Sequence, residues 1–301
     1  MFGDLFSANL YRICKSKVPV ILLIIAAVVT LYSGYILIRV ELSQIISKED
    51  FLEMAKESDD TLEGASKGYI LGADAATNEL DMDEIRWGEG YFIDVGVDEL
   101  YSINTQLCTF VMVNAILVCT FIGRELKTGF YRNLTNVIGK RHIPILSQYA
   151  LFAAVCAVEC IINIVFTLID AFWFQGAPIW HISAQFFAYF FMSWIMLCAM
   201  TSVYIGLIYV IRTKTIPLII SICISLDVHT SILKSLTRII EHINPNFKFK
   251  IVDYLVSTHL EDTLDIYSPA NVFFKVLALS GIYIIISMSL SIYLNKKRDY
   301  K

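Results

Sequence analysis

The sequence predicts an all-α polytopic membrane protein with six transmembrane helices, both termini in the cytoplasm, and a small acidic α+β extracellular domain between helices 1 and 2. Three observations support this fold class. The 301 residues are 56% hydrophobic and only 17% charged, with a mean hydropathy of +0.62; six stretches are apolar enough to cross a bilayer; and basic residues occupy alternate connections. Soluble domains carry nearer to a quarter charged residues, so the composition excludes a disordered chain and an ordinary soluble enzyme.

Six apolar stretches define the predicted spans. A helix needs about 20 mostly apolar residues to cross roughly 30 Å of hydrocarbon, because every backbone group there must be hydrogen-bonded internally. The third stretch contains one carboxylate, Glu159, between Ile143 and Ile169, and the fifth is short and carries Asp227 and His229. The predicted spans are 18–40, 106–123, 143–170, 182–211, 215–233 and 274–295.

The distribution of Lys and Arg sets the predicted orientation. The connection between the third and fourth spans contains neither residue, whereas the segments that a six-span chain places on the opposite side are basic. Because Lys and Arg collect in cytoplasmic loops, both termini are predicted to be cytoplasmic. The basic segments are the amino-terminal stretch 1–17, the loop 124–142, the turn with Arg212 and Lys214, and the tail 296–301.

The amino-terminal stretch 1–17 is predicted to form a cytoplasmic amphipathic helix. Its apolar residues recur at helical spacing beside basic ones, a pattern typical of helices that lie in the membrane interface. The apolar residues are Phe2, Leu5, Phe6, Leu10 and Ile13. The alternative is a frayed basic tail.

Two polar segments are predicted outside the membrane. The first, 41–105, holds 16 acidic against four basic residues from Leu42 onwards, and its pattern indicates a helix followed by glycine-punctuated strands. Its acidity either attracts cationic peptides or only solvates an outer domain. The second, 234–271, contains Pro245 and Pro269 and is predicted to be an extracellular or re-entrant capping segment, because irregular backbone at membrane depth must be covered by protein or water.

The sequence lacks the motifs of common catalytic sites. It has no G-x-x-x-x-G-K-[ST] phosphate loop, no H-E-x-x-H zinc motif and no G-x-S-x-G nucleophile elbow. None of the seven cysteines lies in 41–105, so no disulfide framework is predicted there. We expect no catalytic residue, no metal and no nucleic-acid partner for this chain, whose basic residues are explained by topology.

Polar side chains inside the spans are the candidates for function, because they are costly in hydrocarbon. Asn114 in the second span and Glu159 with Asn163 in the third are candidates for a substrate path, and the last two stand one helical turn apart. The alternative is hydrogen bonding between neighbouring helices, which is favoured for Asp227 and His229. An intramembrane enzyme would require Glu159, Asp227 and His229 to converge.

The loop after the second span resembles the cytoplasmic loop of type-two permeases of ATP-binding-cassette (ABC) transporters. That family has a Glu, a Gly about four residues later, a short helix, and a basic pair before the third span. Here these are Glu125, Gly129, the run 132–134 (Arg-Asn-Leu) and the pair 140–141 (Lys-Arg). The six-span layout with an amphipathic first helix and a late capping segment is also similar. Where the family often has a lysine a few residues into the third span, this chain has Ser147 and Gln148.

The resemblance implies a function. The chain would be a transport subunit of a bacterial plasma-membrane exporter for an amphipathic or hydrophobic substrate, such as a peptide antibiotic, a toxin peptide or a lipid-like molecule. It would bind no cofactor itself; ATP and Mg would sit on two copies of a partner ATPase, and a second permease copy or a sister permease would complete the complex within the membrane lipids.

In this interpretation the short helix over 125–137 is the coupling helix that contacts the ATPase. The residues assigned to that contact are Arg124, Glu125, Lys127, Gly129, Phe130, Tyr131, Arg132 and Asn133. Two alternatives stay open. The loop can be a basic topology anchor only, and the chain can be a membrane-anchored immunity or sensor protein whose acidic outer domain binds a cationic peptide without transport.

Overall fold

The computed structural model describes residues 2–39, 97–128, 142–175, 184–243, 251–260, 264 and 266–297. All regular structure in these ranges is helical. Most of the predicted acidic α+β domain, the loop residues 129–141 and the tail from 298 onwards lie outside the described residues.

The helices follow one another with short connections where both sides are described. In chain order they are α1 (Phe2–Lys15), α2 (Lys17–Arg39), α3 (Val97–Gln106), α4 (Thr109–Lys127), α5 (Ile143–Gln175), α6 (Ala184–Ile211), α7 (Thr215–Ser225), α8 (Val228–Ile243), α9 (Val256–Thr258) and α10 (Ala270–Lys297), with a 3-10 turn at Ile251–Tyr254.

Four of these helices, α4, α5, α6 and α10, are long and apolar enough to cross a membrane. Two further pairs qualify if each is one bent span: α1 with α2, at 62°, and α7 with α8, at 68°. The described part of the chain is therefore all-helical, with four to six candidate membrane spans. This confirms the predicted helical multi-pass fold, and the six predicted spans are the upper limit of that range.

The bend between α1 and α2 is centred on Ser16. The Ser16 hydroxyl accepts a hydrogen bond from the backbone N–H of Val18 (3.3 Å), which caps the start of α2, and Pro19 follows in the first turn, where no N–H is needed. On α1, Leu5, Asn9 and Ile13 recur every fourth residue and are buried. The predicted amphipathic helix is thus present, and it packs its inner face on α5.

The fifth span differs from its prediction as one helix over 215–233. The helix stops at Ser225, and Asp227 adopts a left-handed backbone conformation (φ 53°) before α8 begins at Val228. Only Gly, Asn and Asp visit that conformation at modest cost, and the Thr230 hydroxyl donates to the Asp227 carboxylate across the break. An average of hydropathy over a window allows one polar residue within a span, but here that residue, Asp227, lies at a corner between two helices.

The start of the second span is also corrected. Residues 97–105 were assigned to the acidic outer domain, but they belong to helix α3, which packs on α5 within the bundle. Val97, Leu100 and Tyr101 are buried there, and Cys108 (φ 53°) separates α3 from α4. Two charged residues, Asp98 and Glu99, and several small polar ones hid this helix from a hydropathy count.

The centre of the bundle is α6, which contacts α4, α5, α7 and α10. It packs most extensively on α10, whose buried residues include three small side chains, Ser280, Ser287 and Ser291. A Cβ built on Gly206 of α6 would lie 3.5 Å from the Cβ of Ser287. Small residues at such contacts let helix backbones approach closely, which is how helices associate in lipid.

Candidate functional site

The first candidate site surrounds Glu125 in the last turn of α4, where the ABC-permease resemblance begins. Its side chain is fully buried (0% exposed), and its carboxylate forms an ion pair with the Arg12 guanidinium of α1. The other oxygen, Oε2, accepts a hydrogen bond from Nε2 of Gln148 on α5 (2.7 Å). A buried carboxylate requires an opposite charge and hydrogen bonds together, and Glu125 has both.

A further link extends this cluster to α6. The Tyr209 hydroxyl donates to Oε1 of Gln148 at 2.7 Å. Four helices, α1, α4, α5 and α6, therefore meet through one chain of charged and polar groups. We call the set Arg12, Glu125, Gln148 and Tyr209 the Glu125 clasp.

Neighbouring contacts hold the clasp in place. Asn9, one turn before Arg12, donates to the Ser147 hydroxyl of α5 at 3.3 Å. The Arg12 guanidinium lies 5.4 Å from the centre of the Phe121 ring on α4, a distance typical of cation–π contacts. Gly123 packs closely against the turn after α6. A Cβ at this position would lie only 3.2 Å from side-chain carbons of Lys214.

The predicted coupling residues differ in exposure, and several of them lie outside the described ranges. Arg124 and Lys127 are exposed at the end of α4, which runs four residues past the predicted end of the span, and Thr128 closes it. Glu125 was predicted to be available to a partner ATPase, but its carboxylate is enclosed by this chain's own residues. The other predicted contact residues lie outside the described ranges: Gly129, Phe130, Tyr131, Arg132 and Asn133.

The second candidate site is a polar seam along the inner face of α5. Glu159, Asn163, Thr167 and Asp170 recur at helical spacing, and all four are buried. Asn114 of α4 donates to Oε2 of Glu159 at 2.6 Å. The predicted pair Asn114 and Glu159 is therefore brought into direct contact.

The outer part of the seam packs on α3. Nδ2 of Asn163 donates to the Thr105 hydroxyl (3.0 Å), and Nδ2 of Asn104 donates to the Thr167 hydroxyl (3.0 Å) and to Oδ2 of Asp170 (3.4 Å). We use "polar seam" for these residues together: Asn104, Thr105, Asn114, Glu159, Asn163, Thr167 and Asp170.

The two carboxyl groups of the seam are short of partners. Among the described residues no Lys, Arg or His pairs with Glu159 or Asp170. Oδ1 of Asn114, Oδ1 of Asn163 and Oδ1 of Asp170 are buried without a hydrogen-bond partner in that part of the chain. Beside Asn163 lies a cavity of about 20 Å³ bounded also by Tyr101, Thr105 and Ser193, about the space that one water molecule needs.

The sequence analysis missed several members of both sites. Asn104, Thr167 and Asp170 were overlooked because the first was assigned to the outer domain and the last to the end of a span. The spacing 159, 163, 167 and 170 was the signal that could have found the α5 members. Arg12 and Gln148 carry no local signal of their pairing with Glu125, because the partners are far apart in the chain.

Asp227 and His229 do not join either site in the structure. His229 Nδ1 lies 3.8 Å from the Asp227 carboxylate, and its Nε2 shares a hydrogen bond with the Ser257 hydroxyl at 2.9 Å. They hold the α7–α8 corner to the segment around α9, in line with the packing interpretation. An intramembrane enzyme would need Glu159 beside Asp227 and His229, but Glu159 contacts Asn114 instead of this pair.

No group of three or more His, Cys, Asp or Glu side chains suited to a metal ion occurs within the described ranges. Comparison of the chain with protein-family models, with curated proteins and with solved structures found no match.

Proposed function

We propose that the chain is the membrane-spanning permease subunit of an ABC exporter in a bacterial plasma membrane, with both termini cytoplasmic. Two partner ATPase subunits would supply ATP and Mg, and a second copy of the chain or a sister permease would complete the complex. The substrate would be hydrophobic or amphipathic, a peptide or a lipid-like molecule. The observation that carries the proposal is the Glu125 clasp, because it joins the motif of the coupling loop to the rest of the bundle.

The clasp supplies a physical route for coupling. Arg124 and Lys127 are exposed on the final turn of α4, where they would contact the ATPase with the loop residues that follow. Glu125 faces the opposite way and binds Arg12 and Gln148. A displacement of the loop would therefore act on α1 and α5 directly, and on α6 through Tyr209.

The polar seam is the proposed substrate path or its gate. It runs along α5 between α3 and α4, and its carboxyl and amide groups are not fully paired. Polar groups inside a membrane bundle are costly, so those with unused hydrogen-bonding capacity are candidates for a substrate pathway. Asn114, Glu159 and Asn163 are the residues assigned to this role, joined now by Asp170.

The test is co-purification from the native host in mild detergent, followed by an ATPase assay of the eluate. The variant Arg124→Glu/Lys127→Glu reverses two exposed charges and is expected to lose the ATPase. Glu125→Gln should retain the ATPase but lower its stimulation by substrate, since the clasp is weakened behind an intact surface.

A matched control reverses two exposed charges on another helix at the same end of the bundle. Lys296→Glu/Lys297→Glu changes the end of α10, which the contact between the Tyr149 and Ser291 hydroxyls (3.0 Å) places near the start of α5. It should retain the ATPase. Purification of the unmodified chain with no ATPase at all would refute the proposal.

The second candidate, an immunity or sensor protein, is favoured by one observation, the excess of acidic residues in 41–105. It predicts that a cationic peptide binds the purified chain in the absence of any ATPase. Removing the acidic residues 79–84 as a block would then weaken binding, and the coupling variants would leave it unchanged.

A further inference from the structure

A cavity of about 320 Å³ lies in the angle between α1 and α2, against the last two turns of α4. Its size falls within the range of small-molecule sites in proteins. The bend at Ser16 creates it, because α1 turns away from the line of α2 by 62° and leaves a space that α4 closes on one side. We call it the α1–α2 cavity.

The lining is basic at one side. Arg12, Lys15 and Arg124 all border the cavity, and the described residues that line it include no acidic side chain. Lys15 and Arg124 are exposed, whereas the positive charge of Arg12 is balanced by its ion pair with Glu125. Ser16 adds a hydroxyl group. This arrangement matches the phosphate group of an anionic ligand.

The other side of the cavity is apolar and continues onto a lipid-facing surface. Val18, Pro19, Leu117 and Phe121 form this wall. Directly beyond it along α2, Val20, Ile21 and Ile24 are each more than half exposed. A free phosphate ion would use only the basic side, but an amphiphile with an anionic head would use both.

The depth of the cavity fits the same ligand. Helix α4 has 19 residues and is about 28 Å long, close to the thickness of the hydrocarbon core. The cavity borders α4 only from Leu117 to Arg124, near the end where the basic residues collect. That level corresponds to the head groups of one leaflet.

We propose that the α1–α2 cavity binds the phosphate head group of an anionic phospholipid, with Lys15 and Arg124 contacting the phosphate and the acyl chains lying along α2. The proposal goes beyond the transport function and requires only that the chain spans a membrane. Basic pockets between membrane helices on the cytoplasmic side bind anionic lipids by the same physics. The lipid would fix the angle between α1 and α2, and through Arg12 it would bear on the Glu125 clasp.

The experiment titrates the full-length detergent-purified chain with lipids and follows binding by native mass spectrometry and thermal unfolding. Phosphatidylglycerol is compared with phosphatidylcholine of identical acyl chains, and inorganic phosphate serves as a third probe. We expect phosphatidylglycerol to bind at least tenfold more tightly than phosphatidylcholine. In Lys15→Gln/Arg124→Gln this preference should fall about tenfold, since each basic residue near the surface contributes appreciably to anionic lipid binding.

The control Lys296→Gln/Lys297→Gln removes two exposed charges from α10 and should change the preference less than twofold. If both double variants lost the preference for phosphatidylglycerol equally, the preference would come from non-specific electrostatic attraction and the proposal would be overturned. Equal binding of the two lipids would also overturn it. If inorganic phosphate stabilised the chain against thermal unfolding at the same concentration as the lipid, the ligand would be a free anion and the lipid proposal would be overturned.

A second measurement does not depend on any variant. Phosphatidylglycerol carrying a photoreactive group near the head should label peptides that contain Tyr11–Pro19 and Leu117–Arg124 in the unmodified chain. Labelling confined to other helices would overturn the proposal even if the double variant failed to fold.

Discussion

Glu125 and Glu159 are buried carboxyl groups in the same helical bundle, yet their surroundings differ. Glu125 has a cation, Arg12, and an amide donor, Gln148. Glu159 has the amide of Asn114, and Asp170 further along the seam has the amide of Asn104 at a longer distance. A charged group buried with its counter-ion can remain ionised, whereas one without a counter-ion is costly in the charged form. The first cluster holds helices together, and the second is the one that we propose for the substrate path.

The largest expected effect is on the clasp. Arg12→Gln leaves Glu125 buried without a cation, which should lower the free energy of unfolding by about 3 kcal/mol. Arg12→Gln/Glu125→Gln should recover more than half of the loss, because no charge then remains buried. Thermal unfolding in detergent measures both. If the double variant is no more stable than Arg12→Gln, Arg12 acts through packing and the contrast with the seam is lost.

A smaller effect is expected for the donor to Glu159. Asn114→Leu removes the hydrogen bond that this carboxyl group accepts from Asn114 and should lower the free energy of unfolding by about 2 kcal/mol. In the Glu159→Gln background the same change should cost less, because the group left behind is neutral. A double-mutant cycle by thermal unfolding gives the coupling, and a coupling near zero would contradict the contact.

Neutral isosteres in the seam should change the free energy of unfolding in the opposite direction from a neutral isostere in the clasp. Glu159→Gln and Asp170→Asn each remove a carboxyl group that lacks a cation within the described ranges, so stability should stay constant or rise by about 1 kcal/mol. Glu125→Gln, measured beside them, should lose stability. A loss above about 2 kcal/mol for Glu159→Gln would show that a cation pairs with it, and the two clusters would then be alike.

The smallest effect concerns His259, a buried ionisable group outside both clusters. Burial lowers its pKa below the usual 6.5; the hydrogen bond to the Asp253 carbonyl (3.1 Å) opposes this shift, and the charge of Lys275 adds to it. The folded protein therefore favours neutral His259. Its contribution to stability is present above pH 6.5 and is lost as the pH falls through the lower folded pKa.

Between pH 7.5 and 5.5 the unmodified chain should lose more stability than His259→Gln, because the unfolded chain gains a proton on His259 before the folded chain does. Thermal midpoints at the two pH values measure this difference. An identical pH response of the two proteins would mean that His259 is protonated equally in the folded and unfolded chain.

Hydropathy predicted most of the helices because a membrane span depends on the average polarity of residues that follow one another in the sequence. Residues 184–211 contain no charge, so α6 could hardly be placed elsewhere. The predictions were wrong where one residue decides the backbone. Asp227 breaks a span by its left-handed conformation, and Cys108 separates α3 from α4 in the same way. A window average gives no weight to either.

The sites were predicted only as single residues. Asn114 and Glu159 were singled out because each is expensive in lipid, but nothing in their spacing indicates that they touch. The role of Glu125 was inferred from the loop that follows it, whereas its contacts come from α1 and α5. Such pairings depend on how helices pack, which local sequence does not encode.

The ion pair between Arg12 and Glu125 joins residues 113 positions apart. A ribosome that adds 5–20 residues per second needs on the order of ten seconds to make the intervening chain. During that time α1 has its arginine but not the carboxylate that will bind it. The clasp can therefore close only after Glu125 is synthesised, so the first helix of the chain acquires its final partner late.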